Sequence, residues 1–285
     1  METRDAAVPT DRIDVLRFLR DRGKSAEHHG AVPPLVTPLV ILLLGTALFR
    51  LTEADVAISQ LFYSAASQEW PLLRAQPWRG IYCYGVLPGL ALGFGGLAVA
   101  LLGFFWGRLR PWRRAGLFFA LLLLLGPGLL VNGLFKPHWM RPRPVQTAAF
   151  GGPEQFEPVW DMGRNAHGRS FPSGHASMGF YLMAPAFLFY ARRRRLALAW
   201  FGVGLAGGAV MGLTRIVQGG HFASDVLWSG GCVYLTGLLL YVLLGLGHAE
   251  AEPLPAPAGA VRVFDIEPAL EDREAAEEPD YRRAA

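Results

Sequence analysis

Three short stretches of the chain gather the residue types that hold an anion and move a phosphoryl group. The first is Lys136-Pro-His-Trp-Met-Arg141-Pro-Arg143-Pro144, the second Phe171-Pro172-Ser173-Gly174-His175, and the third Thr214-Arg215 followed by His221 and Asp225. Lys136, Arg143 and Arg215 supply three cations: arginine presents a planar fork that matches phosphate oxygens, and lysine a point charge. Ser173 and Gly174 are expected to open a helix, which leaves their backbone N–H groups without intrahelical partners at the positive end of the dipole. Glycine there lets a ligand approach the backbone closely. His221 and Asp225 are four apart and share one face of a helix that begins early. A carboxylate on one ring nitrogen fixes the tautomer and leaves the other nitrogen as a directed nucleophile. His175, beside the cradle, is placed to protonate the leaving oxygen as general acid. The chemistry is an in-line displacement in two steps, through a phosphohistidine that water then hydrolyses. Cations and N–H groups carry the charge on the equatorial oxygens, so no metal and no cofactor is expected.

These residues need a scaffold, and the composition says which kind. Of 285 residues 52% are hydrophobic, and they fall into runs of the roughly 20 residues that cross a bilayer core of about 30 Å. The expected class is an all-α membrane protein with six transmembrane helices, over about Pro33–Leu51, Ile81–Trp106, Ala115–Phe135, Ser173–Tyr190, Leu196–Leu213 and Ser224–Gly247. Pro127 is expected to kink the third, and the glycines of the fifth to allow close helix approach. Residues 52–79 read as a mixed loop with a weak helical stretch, Ala54–Tyr63. The first apolar run begins only after about 34 residues, many of them charged, which fits a retained anchor better than a cleaved leader. Three regions result: a cytoplasmic segment 1–32 with a surface helix over Thr10–Arg22, a transmembrane catalytic domain 33–247, and a disordered cytoplasmic tail 248–285 rich in Pro, Ala and Glu.

The net charge of +4 does not indicate nucleic acid, because the basic residues sit just outside apolar runs, where orientation signals belong. With both termini in the cytoplasm, Arg108, Arg110, Arg113, Arg114 and Arg192–Arg195 fall there too. All three chemical stretches then meet at the opposite, periplasmic face of a bacterial inner membrane. Cys83 and Cys232 lie singly inside apolar runs and read as small hydrophobes.

Lys136-x6-Arg143-Pro144, Pro172-Ser173-Gly174-His175 and Thr214-Arg215-x5-His221-x3-Asp225 resemble, in order and spacing, the three signature motifs of the type 2 phosphatidic acid phosphatase (PAP2) superfamily. The resemblance covers roughly 80–247. It implies His221 as nucleophile, His175 as acid and base, Asp225 as orienter, and Lys136, Arg143, Ser173, Gly174 and Arg215 as phosphate ligands. Thr214 stands where the family usually has serine and keeps the hydroxyl. Lipid phosphates fit an outward site near the interface: lipid A and undecaprenyl pyrophosphate first, given the arginine-rich 136–172 loop, then phosphatidylglycerophosphate and phosphatidic acid. The expected partners are thus a membrane lipid and the bilayer, with no nucleic acid.

Arg141, Arg164, Arg169 and Thr214 are further candidate head-group contacts. His28, His29, His138, His167 and His248 read as structural, and Arg192–Arg195 as topological. A lipid transporter is the competing class, yet the charges cluster at one face instead of marking a path across the membrane.

Overall fold

Proline, glycine and aromatic residues decide where the apolar runs break and how closely they pack. The computed structural model describes residues 32–164 and 168–247; these are helical, with only two isolated β-bridges. The surface helix expected over Thr10–Arg22, the tail from 248, and His28, His29, His167 and His248 lie outside the described residues.

Helix α1 (Val36–Leu51) leads to the short α2 (Ala54–Gln60). α3 (Trp78–Tyr84) and α4 (Leu87–Leu102) form one stretch, broken at Gly85–Val86 just before Pro88. α5 (Arg113–Leu123) continues as a π-helical segment, Leu124–Phe135, and then α6 (Lys136–Trp139). α7 (Gly174–Tyr181) and α8 (Ala184–Phe189) precede α9 (Arg194–Val217) and α10 (Ala223–Leu243).

Among the described residues, four stretches are long and apolar enough to cross a membrane: Trp78–Leu102, Gly107–Gln146, Arg194–Val217 and Ala223–Leu243. α1 is a shorter apolar helix. The fourth expected span is two short helices, divided ahead of Pro185, which has no N–H to donate and disfavours helix before it. Every residue of α7 except His175 is buried, as are the first four of α8, so protein encloses this stretch.

At Pro127 the coil itself changes. The proline ring excludes the carbonyl four residues back from a normal turn, and the ladder widens to π spacing from Leu124 to Phe135. Asn132 Nδ2 donates to the Pro127 carbonyl at 2.6 Å, and the wide coil ends at Lys136.

Close packing comes from small residues. A Cβ on Gly179 would lie 2.5 Å from the Gly207 carbonyl carbon and 2.8 Å from the Gly208 nitrogen, so α7 and α9 touch backbone to backbone. Phe118, Leu122, Phe180, Tyr181, Phe187 and Tyr241 fill the core beside this contact. A second cluster, Trp70, Phe150 and Phe222, ties the 52–79 and 136–172 loops to the start of α10. Gly219, at φ +65°, packs under Trp70 there, where a side chain would be both strained and obstructed.

Gly179→Ala is expected to destabilise the protein by about 1–3 kcal/mol, because backbone cannot yield as a flexible side chain does. Gly202→Ala, whose Cβ would meet nothing within 4 Å, is expected to hold or slightly raise stability. Thermal melts in detergent compare the two.

Candidate active site

The N-terminus of α7 is the floor of the site. Ser173 caps it, its Oγ accepting from the Ala176 N–H at 3.4 Å. The Ser173 N–H donates to the Asp225 carbonyl at 3.2 Å, so it is spent, against the expectation that it points free at a ligand. The N–H groups of Gly174 and His175, in the first turn, have no intrahelical acceptor to meet. Gly174 keeps this end open: a Cβ there would lie 2.8 Å from Lys136 Nζ and 2.6 Å from Asn132 Oδ1. The π segment therefore delivers the lysine ammonium directly over the positive end of a helix.

More positive charge gathers around it. Lys136 is within electrostatic reach of Arg143, Arg169 and Arg215, and His175 of Lys136, Arg143 and Arg215. None of these four cations forms an ion pair with a carboxylate among the described residues. Arg215 Nη1 donates to Gln218 Oε1 at 2.5 Å, while its buried Nε has no partner. Gly220 leaves room for its guanidinium.

His175 is half-buried and stacked on Tyr82, the ring centroids 4.6 Å apart and 18° from parallel. Arg215 lies over the same tyrosine ring, its Cζ 4.6 Å from the centroid. Tyr82, from α3, thus lies between the general-acid candidate and the Arg215 guanidinium.

His221 precedes α10 and is almost wholly buried. Its Nδ1 faces Asp225 Oδ2 at 3.6 Å, beyond hydrogen-bond length, and has no hydrogen-bond partner. Asp225 is on the Nδ1 side, so Nε2 is the nitrogen left for a substrate. Burial, outweighing the attraction of Asp225, holds the imidazole down to about 3, so the ring is neutral.

Asp225 is held from several sides. Oδ1 accepts from Arg141 Nη1 at 2.5 Å; Oδ2 accepts from Ser170 Oγ at 2.5 Å and from the Phe222 N–H at 2.8 Å. The last bond caps α10 from within.

Arg141 is therefore not a head-group contact. It is fully buried, its Nε donating to the Glu157 carbonyl, Nη1 to Ser224 Oγ and Asp225, and Nη2 to Asp55. Thr214 is buried too, and its hydroxyl donates back to the Val210 carbonyl at 2.8 Å, which directs its proton into α9. Arg164 is a surface residue 3.8 Å from Glu157. Arg169 is exposed yet within reach of Lys136, which keeps it in the head-group set.

Sequence reasoning missed Tyr82, Asp55, Ser170, Ser224, Gln218 and Asn132. Asp55 carried a readable sign, a carboxylate just beyond an apolar run. Tyr82 carried none, because a tyrosine near a span end ordinarily reads as an interface anchor.

Residues 115–246 match the PAP2 superfamily, an interval that holds every motif residue but neither Asp55 nor Tyr82. Over 134 residues the chain is 42% identical to a lipid A 4'-phosphatase of Francisella tularensis subsp. novicida, covering 47% of this chain and 60% of that protein. Over 123 residues it is 39% identical to a lipid A 4'-phosphatase of Rhizobium leguminosarum, covering 41% and 50%. A Rhizobium etli protein of the same name is 38% identical over 120 residues, covering 41% and 46%. The chain thus spans about half of the length of these curated relatives. No solved structure matches.

Two outcomes are expected from this geometry. In histidine-labelled protein the His221 imidazole should stay neutral from pH 8 down to about pH 5, below the usual midpoint of about 6.5; nitrogen NMR, assigned with His221→Asn, reads this directly. Tyr82→Leu should lower kcat about 2- to 10-fold through lost stacking on His175, and Tyr82→Phe should retain it.

Proposed function

Residues 115–246 are a PAP2 superfamily domain, and from that premise we propose that the chain is a bacterial inner-membrane phosphatase that hydrolyses a phosphomonoester of lipid A. The observation that carries this reading is the convergence of Lys136, Arg143, Arg169 and Arg215 on a helix N-terminus. Like charges repel, and Asp225, a carboxylate within electrostatic reach of Lys136, is already bound to Arg141. An anion of more than one charge reconciles such a cluster.

The names of the relatives supply the choice of lipid A over undecaprenyl pyrophosphate, phosphatidylglycerophosphate and phosphatidic acid. A lipid substrate also suits an apolar cavity of about 480 Å³ between α4, α5 and the π segment, lined by Leu90, Phe94, Leu121, Leu124, Pro127 and Asn132. Asn132 belongs to this wall and also abuts Gly174, so an acyl chain in the cavity has its head group beside the cradle.

In the proposed reaction His221 Nε2 attacks phosphorus, the bond to the lipid oxygen breaks, and His175 gives that oxygen its proton. Water then attacks the phosphohistidine while neutral His175 takes a water proton; the P–N bond breaks and inorganic phosphate leaves. Asp225 stabilises the charge that develops on His221. Lys136, Arg143, Arg215 and the first N–H groups of α7 hold the equatorial oxygens through both steps.

We read α1 and the α7–α8 pair as crossing with the four long helices, giving six spans. The chain leaves one end at Arg108–Arg114 and arrives at Lys136, and leaves it again at Arg192–Arg195 and arrives at Arg215. α9 alone, with 24 residues, covers about 36 Å at 1.5 Å per residue. The arginine-rich end belongs in the cytoplasm, which puts the site at the periplasmic face.

Purified protein in detergent with EDTA should release phosphate from lipid A faster than from the other three lipids. His175→Ala should lose at least about 10²-fold, and His221→Ala should fall to background. Activity abolished by EDTA or retained in His221→Ala would refute the mechanism; preference for another of the lipids would reassign the substrate.

A further inference from the structure

A carboxylate outside the matched interval 115–246 accepts as many hydrogen bonds as Asp225 does. Asp55, in the short α2, is fully buried. Its Oδ1 accepts from the Ser224 N–H at 2.9 Å, and its Oδ2 accepts from Arg141 Nη2 at 2.9 Å and Ser224 Oγ at 2.5 Å. Ser224 Oγ in turn accepts from Arg141 Nη1 at 2.8 Å.

Three consequences follow from this arrangement. Ser224 is the second residue of α10, so Asp55 satisfies one of the helix's orphan N–H groups from a distant part of the chain. Ser224 is also the residue before Asp225, so the same bond sets where the Asp225 backbone lies. Most important, one guanidinium faces two carboxylates. Arg141 grips Asp225 Oδ1 at 2.5 Å; without a second carboxylate its whole charge would fall on Asp225, and less would be left to attract a proton to His221 Nδ1.

We propose that Asp55 is a positioning residue for the reaction: by sharing Arg141 and pinning Ser224, it leaves the charge of Asp225 available to His221 and fixes the Nδ1–H tautomer that frees Nε2 to attack. It touches no reacting atom. The claim rests on the reading of His221 as nucleophile.

Asp55→Asn keeps shape and removes the charge, and it leaves the buried cluster with one carboxylate for one guanidinium. Phosphate release from lipid A should show kcat reduced about 10- to 100-fold, with KM within about twofold of the wild type, because the lost interaction is made toward the transition state. Glu53→Gln, at an exposed neighbour, should behave as wild type. Nitrogen NMR at neutral pH should show His221 moving from the Nδ1–H toward the Nε2–H tautomer in Asp55→Asn, a change that a merely destabilised fold would not produce. Ser224→Ala, which removes one of the two hydrogen-bonded links, should move both readouts the same way by less, and it serves if Asp55→Asn does not fold. A wild-type kcat, or a reduced kcat with an unchanged His221 tautomer, would overturn the proposal. If the wild type releases phosphate from no lipid, the functional reading fails, and the tautomer measurement still decides the role of Asp55.

Discussion

A single guanidinium, sealed from solvent and shared by two carboxylates, is the constraint on which the site depends. Arg141 joins the segment after the first apolar helix, the loop after the π segment and the start of the last helix, through bonds across 86 and 84 residues. Burying a charge costs several kcal/mol per ion, and the mutual attraction offsets that only where geometry is good and the remaining donors are met. Here Nε and both Nη atoms have acceptors, and the face of the Phe222 ring lies 4.7 Å from Cζ. Such a cluster adds little net stability compared with apolar residues of equal volume. It excludes alternatives: any packing that separates the three segments leaves an unpaired ion in a dry interior, at about 3–5 kcal/mol.

Two residues further on, the same chemistry serves the opposite purpose. Arg143, like Lys136, Arg169 and Arg215, has no carboxylate partner among the described residues, and Lys136, within electrostatic reach of the other three, stands over a helix N-terminus. Left empty, this is an unfavourable arrangement of charge; with a phosphate in place it becomes a favourable one. The paired guanidinium holds the frame, and the unpaired cations hold a repulsion that an anion among them would relieve. Asp225 stands between the two populations, bound to the structural cation on one oxygen and turned toward His221 on the other.

The motif residues were legible because their chemistry is joint: no bland reading explains two histidines, an aspartate and three cations at one end of three apolar runs. The arrangement around them was not legible, for reasons that differ by residue. Arg141 and Arg143 are alternate residues of an irregular loop, and no periodicity tells which one turns inward. Asp55 acts across 86 residues, a pairing that no local pattern encodes. The Ser173 N–H was expected to be free because helix starts have orphan donors, and tertiary structure supplied an acceptor, the Asp225 carbonyl. Thr214 was read by its hydroxyl, yet inside a helix that hydroxyl finds a carbonyl four residues back before it finds a ligand. Pro127 was read as a kink, and no sequence pattern showed that the coil around it widens to π spacing.

The broken fourth segment follows from its place in the bundle. A helix facing lipid must satisfy all its own backbone groups along its length, and an interruption there is costly; irregular backbone is tolerated at depth only where protein surrounds it. Protein surrounds α7 in this way. Its Gly179 lies against α9, its aromatic side chains fill the core, and Ser173 and Ser177 close local bonds at its first turn. Because neighbours hold it, α7 needs neither the length nor the uniform apolarity of a lipid-facing span. It is free to begin with Ser-Gly-His and to stop at Tyr181. The polar start that makes this stretch a weak transmembrane signal also sets the first N–H groups of α7 beside Lys136, with bonds to α10 at Asp225 and Ser229 fixing where that start lies.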